Sequence, residues 1–313
     1  MKIAFVFPGQ GSQSVGMLSS FGEDPAVRGV LERASAALGE DVGRLIEQGP
    51  ADVLGLTVNT QPCMLAAGLA IYAAWRSAGG AEPAMMAGHS LGEYTALTAA
   101  GVFAIEDAMR LVRFRAEAMQ QAVPIGTGTM AAILGLDDDR VRQACAEAIA
   151  AAPGQVVEPV NYNAPAQVVI AGHVDAVERA CAAARGMGAK RAVTLSVSAP
   201  FHSSLLQPAS AALRARLAGE KLDSPRVPVV NNVDVASEAA PERIRDALAR
   251  QAARPVRWVE VIQAMARAGV THVVECGPGR VLSGLTRRID NRLESLSIND
   301  AASLRDVLGR LRP

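Results

Sequence analysis

Short apolar runs alternate along this chain with longer stretches in which apolar residues recur every three to four positions. That alternation predicts an α/β fold rather than an all-helical or all-strand one. Ile3–Phe7 reads as a buried strand that runs into the glycine-rich loop PGQGSQ. At Asn59-Thr-Gln-Pro62 the sequence predicts a helix start, with Asn59 or Thr60 as cap and Pro62 in the first turn, and Gly79 and Gly80 end the helix. Ala84–Ala87 reads as a short strand and Leu91–Ala100 as a helix, so the stretch GHSLG between them is a tight strand-to-helix turn.

From about Gly128 to Val197 the pattern changes to strand, helix, strand, strand, helix, strand. This is the β-α-β-β-α-β order of a ferredoxin-like unit. The flanks VPIGTG and SVSAPF carry the glycine and proline expected of hinges. A small domain of residues 126–198 is therefore expected inside a larger α/β domain made of residues 1–125 and 199–313. After the insert come helices, a strand at Thr271–Glu275, the loop CGPG and a helix from about Arg280, which rejoin the large domain.

Composition narrows the function classes. Of the 313 residues half are hydrophobic, and 31 basic residues balance 31 acidic ones. No global field draws in nucleic acid or a membrane surface, so a charged partner must be met by a local patch. Cys63, Cys145, Cys181 and Cys276 are far apart and form no C-x-x-C pair, which points away from a metal site or a disulfide framework and toward a reducing compartment. The N-terminal apolar run is too short for a signal peptide, and the longest one, Cys63–Trp75, falls well below the ~20 residues of a membrane span. A soluble, cytoplasmic protein is expected. The loops GQGSQS and CGPGR resemble nucleotide motifs only in part. Ser14 stands where a dinucleotide fingerprint needs glycine or alanine, and the second loop has no P-loop lysine.

GHSLG fits the G-x-S-x-G pattern in the strand-turn-helix setting that lifts a serine hydroxyl clear of the backbone. A side chain at Gly88 or Gly92 would meet the neighbouring strand or helix, and the helix after Ser90 turns free N–H groups toward it. A purely structural turn is the competing reading. A nucleophilic serine needs a base. Of His89, His173, His202 and His272, only His202 lies where the chain leaves the insert for the large domain, a place where clefts form. In the helix predicted over Ile105–Gln121, Glu106, Arg110, Arg113, Glu117 and Gln120 share a polar side, and Arg115 falls on the opposite, apolar one. A guanidinium buried there needs an anion, which is either an internal carboxylate or a substrate carboxylate gripped by its planar fork.

Taken in order, FVFPGQGSQSVGM, NTQP, GHSLGEYTAL, RFRAEAMQQAVPIGTGTM, NYNAPAQVVIAG, SAPFHSSLLQPA, QAARPVRW and ECGPGRVLSGL span nearly the whole chain. Together they resemble the malonyl-CoA:acyl carrier protein transacylases of fatty-acid synthesis. The resemblance implies an α/β-hydrolase-like large domain with a parallel-sheet core and a ferredoxin-like insert. It implies Ser90 as nucleophile, His202 as base, and Arg115 as the holder of the malonyl carboxylate. The backbone N–H groups of Gln10 and Leu91 would form the oxyanion hole, Gln251 would orient His202 through its backbone carbonyl, and Phe201 would favour malonyl. Malonyl-CoA and acyl carrier protein are the implied partners, with no metal and no resident cofactor. Arg287 with Arg288, or Lys190 with Arg191, are candidate docking pairs for an acidic carrier protein. The alternatives are a malonyl-loading subunit of polyketide synthesis or malonate decarboxylation, a serine acyl hydrolase, and a non-catalytic carrier-binding module.

Overall fold

A computed structural model describes residues 1–311. The chain opens with β1 (Ile3–Phe7), buried along its whole length. Helices α1 (Pro25–Leu38), α2 (Val42–Gln48), α3 (Ala51–Gly55) and α4 (Thr57–Ser77) follow, then β2 (Met85–Gly88), α5 (Leu91–Ala99) and α6 (Ile105–Gln121). The middle of the chain forms β3 (Gly128–Leu134), α7 (Asp138–Ala150), β4 (Val157–Ala164), β5 (Gln167–His173), α8 (Val174–Gly186) and β6 (Arg191–Thr194). It then continues through α9 (Gln207–Ala218), β7 (Val229–Val230), α10 (Pro241–Gln251), α11 (Trp258–Arg267), β8 (His272–Cys276), α12 (Val281–Ile289), β9 (Glu294–Ile298) and α13 (Ala301–Arg310).

Two sheets organise these elements. The larger is parallel, in the order β7-β2-β1-β8-β9, with β1 at its centre. Helices cover both faces of such a sheet, which is why β1 and β2 read as unbroken apolar runs. Ligands of open parallel sheets gather beyond the carboxyl ends of the strands. Here β1 runs into Pro8-Gly9-Gln10 and β2 into Ser90. Because Phe7 is in register with Gly88, Gln10 and Ser90 leave the sheet side by side.

The smaller sheet is antiparallel in the order β4-β5-β3-β6, the strand arrangement of a ferredoxin-like unit. Its alternation shows in the packing. Ala131, Ile133, Val168 and Ile170 form a core with α7 and α8. The intervening Met130, Val169 and Ala171 join the main core instead. Bonds from Tyr162 N–H to the Val256 carbonyl (3.0 Å) and from Val256 N–H to the Val160 carbonyl (2.8 Å) tie β4 to the large body.

Several expectations are corrected. Helix α4 starts at Thr57, so Pro62 lies inside it, and neither Asn59 nor Thr60 caps it. Their side chains reach back instead, Asn59 Nδ2 to the Val53 carbonyl (2.9 Å) and Thr60 Oγ1 to the Leu54 carbonyl (2.6 Å), lashing α4 to the end of α3. His173 ends β5 instead of lying in a loop, and its Nδ1 accepts from Val156 N–H. The hydrophobic pattern does not predict strands β7 and β9. All four cysteines are buried and unpaired. Among the described residues no helix is long and apolar enough to cross a membrane.

Candidate active site

Ser90 is held in a strained turn, at φ 52° and ψ −110°. Backbone in such a region costs about 1–3 kcal/mol and persists only where its surroundings over-determine it. Here two glycines and an asparagine do so. A Cβ on Gly88 would lie 1.8 Å from the Gly92 carbonyl carbon, and one on Gly92 would lie 2.0 Å from the Phe7 oxygen. Strand β2 and helix α5 therefore meet backbone to backbone. Asn232, buried in the segment after β7, accepts from Ser90 N–H (2.8 Å) and donates to the Gly88 carbonyl (2.8 Å), clamping both sides of the turn.

The structure brings Ser90, His202 and Arg115 together from three distant parts of the chain. Ser90 Oγ is 2.7 Å from His202 Nε2, and His202 Nδ1 is 2.8 Å from the Gln251 backbone carbonyl. A carbonyl only accepts, so Nδ1 carries the hydrogen and Nε2 presents its lone pair to the hydroxyl. The His202 loop is fixed by Glu158 of β4, which accepts from the N–H (2.7 Å) and hydroxyl (2.8 Å) of Ser204. Burial, then the nearby Arg115 charge, pushes His202 down to about 3, so the ring is a neutral base at physiological pH.

Arg115 is only 1% exposed, as its place on the apolar side of α6 predicts. It makes no ion pair among the described residues, so the internal-carboxylate reading is not borne out. Two amide oxygens hold it instead: Gln61 Oε1, 2.6 Å from Nη1, and Gln251 Oε1, 3.0 Å from Nη2. The Tyr94 ring lies against the guanidinium, 5.2 Å from centroid to Cζ. Nη2 also donates to Ser90 Oγ (3.1 Å), which sets the cation directly beside the hydroxyl.

These groups open onto a cavity of about 140 Å³ lined also by Gln10, Leu91, Met119, Met130, Asn161 and Phe201. No acceptor is bonded to the backbone N–H of Gln10 or Leu91 among the described residues. Gln10 and Leu91 share this cavity with Ser90. His89 also lines the cavity, but its ring bonds Asn163 (2.8 Å) rather than the serine, and His272 lies on β8 paired with Glu294. Among the described residues no cluster of three His, Cys, Asp or Glu could hold a metal.

Sequence reasoning missed Gln61, Glu93, Asn232, Asn163 and Glu158. Glu93 alone carried a local signal, as the one charge in the apolar helix Leu91–Ala99. It is fully buried and bonded to Asn232 N–H (2.9 Å) and Gln251 Nε2 (2.8 Å), and burial pushes its carboxyl up to about 7. The others act across more than 40 residues of sequence and leave no periodic trace.

A serine on a strained elbow at the carboxyl edge of a parallel sheet, with a neutral imidazole on its hydroxyl, is equipped for acyl chemistry through a covalent ester. Residues 4–313 match the acyl transferase domain family, and the chain belongs to that family. It is 53% identical over 308 residues to the malonyl CoA-acyl carrier protein transacylase of Escherichia coli K12, covering 98% of this chain and 99% of that one. With the enzyme of the same name from Bacillus subtilis it shares 41% identity over 314 residues, covering 99% and 98%. Among solved structures, an acyl-carrier-protein S-malonyltransferase from Burkholderia pseudomallei superposes with a TM-score of 0.96 at 63% identity, covering 99% of this chain and 100% of that one. A type II PKS acyl-carrier protein in complex with its malonyl-transacylase gives a TM-score of 0.97 at 49% identity, covering 99% and 100%.

Proposed function

We propose that this protein transfers the malonyl group from malonyl-CoA to the phosphopantetheine thiol of an acyl carrier protein, through a malonyl ester on Ser90, in the cytoplasm and in the service of fatty-acid synthesis. The observation that carries the reading is the buried Arg115 cation, held by neutral amides 3.1 Å from the nucleophile. A malonyl group is only three carbons long, so its carboxylate stays close to the carbon under attack. Its receptor must then lie beside the serine, where Arg115 lies.

In this mechanism His202 Nε2 takes the Ser90 proton as Oγ attacks the thioester carbon, and the oxyanion forms between the Gln10 and Leu91 N–H groups. The C–S bond breaks, and CoA leaves as a thiol with the proton returned by His202. The carrier-protein thiol then enters, gives its proton to His202 and attacks the ester, and the hydroxyl is restored when Oγ takes that proton back. Gln251 orients the imidazole through its backbone carbonyl, and Phe201 walls the acyl cavity. A second hollow of about 780 Å³ adjoins the first, shares Gln10 and Val197 with it, and offers room for the thioester's arm. Residues 126–198 serve as an inserted domain that roofs the site, and residues 1–125 with 199–313 form the catalytic body. The pantetheine belongs to the substrates, and the reaction draws on no resident cofactor.

Intact-mass measurement after incubation with malonyl-CoA tests this. Wild type is expected to gain one malonyl group and Ser90→Ala none. Adding carrier protein is expected to move the group to it without release of free malonate. Free malonate as the main product would instead identify a hydrolase, and no adduct on the wild type a binding module.

A further inference from the structure

The fold holds Arg115 with dipoles rather than with charges. Gln61, 2% exposed on α4, gives Oε1 to Nη1 at 2.6 Å. Gln251, fully buried at the end of α10, gives Oε1 to Nη2 at 3.0 Å. Among the described residues the one carboxyl group acting on Arg115 from nearby is Glu93, and it stands one residue back: the Gln251 amide lies between, with Nε2 2.8 Å from Glu93 and 3.0 Å from the Ser90 carbonyl. Gln251 Nε2 must face those two acceptors, so its oxygen is left for the guanidinium. The Gln61 amide nitrogen has no partner among the described residues, and Gln61 lines the reactive cavity. A buried cation is ordinarily met by an anion. Here the counter-charge is missing at the place where a substrate carboxylate would supply it.

We propose that Gln61, together with the side chain of Gln251, is a specificity-determining residue: its neutral amide fixes Arg115 in place without cancelling its charge, and so reserves the site for an anionic acyl group. Exchanging that amide for a carboxylate supplies the missing anion from within the fold. Gln61→Glu then turns the enzyme toward neutral acyl groups while altering the side chain by a single atom. The proposal rests on the reading of Arg115 as the carboxylate receptor. It assigns Gln251 a side-chain role separate from the backbone carbonyl that it offers His202.

The test compares acylation by malonyl-CoA and by acetyl-CoA in wild type, Gln61→Glu, Gln61→Met and Arg115→Ala, as the ratio of kcat/KM for the two substrates. Gln61→Glu and Gln61→Met both remove the native amide, and only the first adds a charge. Gln61→Glu is expected to lower the malonyl-to-acetyl ratio at least tenfold below that of Gln61→Met. A smaller difference makes Gln61 a packing residue and overturns the inference. If Arg115→Ala leaves the wild-type ratio in place, the receptor reading beneath it has failed instead. Should Gln61→Glu not fold, Gln61→Asp against Gln61→Asn makes the same comparison one methylene shorter, and the same tenfold criterion decides.

Discussion

At the residue scale the site turns on where one positive charge sits relative to one imidazole. Arg115 reaches Ser90 Oγ at 3.1 Å and, after burial, is the second cause of the low basicity of His202. On the proposed reading a malonyl carboxylate on the guanidinium would cancel that field and strengthen the base, whereas an acetyl group would leave the field in place. Arg115→Ala is therefore expected to lose malonyl transfer, by roughly 10²-fold or more in kcat/KM as for loss of a buried charge contact, and to keep or gain acetyl transfer. Parallel assays with the two CoA esters check this, and an equal loss with both would return Arg115 to a structural role. His202 makes a second expectation at this scale. With its basicity pushed down to about 3, the acid limb of acetyl-transfer kcat/KM should be missing from the usual histidine range, leaving the profile flat from about pH 8 to about pH 5. The same depression fixes a sign for stability. Between the ordinary histidine value and about 3 the unfolded chain takes up a proton that the fold refuses, so stability falls as pH falls through that window. His202→Gln should flatten this slope in urea titrations run at several pH values.

At the element scale, the elbow exists because β2 and α5 touch through glycine. Alanine at Gly88 or Gly92 places a methyl carbon within 2.0 Å of backbone that other strands and helices hold fixed. Each substitution is expected to remove about 3 kcal/mol of stability, read as a lower urea midpoint at unchanged slope, along with the acyl-serine adduct. This part of the site was legible in the sequence, because an elbow is local: its glycines, strand and helix all lie within a dozen residues. The same holds for the burial of Arg115, which the period of α6 dictates, and for the order of elements in the small sheet. What stayed hidden is what comes from a distance. Gln61 and Gln251 reach Arg115 across 54 and 136 positions, and Asn232 clamps Ser90 from 142 away. Strand β9, Glu-Ser-Leu-Ser-Ile, is half polar because it lies at the sheet edge, and β7 has only two residues to declare itself. Helix α4 starts before the point that the sequence predicts because side-chain bonds to α3 outweigh the local capping preference at Asn59 and Thr60.

At the scale of the whole molecule, a chain with 31 basic and 31 acidic residues has no net field with which to collect an acidic partner. Attraction must come from an uneven distribution, and the surface has one. Arg267, Arg287, Arg288 and Arg292 line a hollow of about 700 Å³ between the ends of α11 and α12. The single acid among its lining residues, Asp290, is paired with Arg292 at 2.7 Å. Arg288 donates to the Pro165 carbonyl (3.1 Å) in the β4–β5 turn, which ties the hollow to the strand that carries Asn161 into the reactive cavity. Four residues of strand, ~13 Å, separate Asn161 from that turn. Lys190 and Arg191 line neither this hollow nor the one beside the reactive cavity: Lys190 packs its side chain over Gly135, and Arg191 opens the edge strand β6. Reversing Arg287 and Arg288 together to glutamate should therefore raise the KM for carrier protein at least tenfold, and the same change at Lys190 and Arg191 should raise it less. Malonyl-enzyme formation from malonyl-CoA, measured alone, separates a docking defect from a damaged site. Salt supplies an independent check. Charge attraction across solvent is screened beyond about 8 Å at physiological ionic strength, so the wild-type KM should climb with added salt and that of the reversed variant should not. If the carrier-protein KM is unmoved by either reversal and by salt, docking does not run through basic charge on this enzyme.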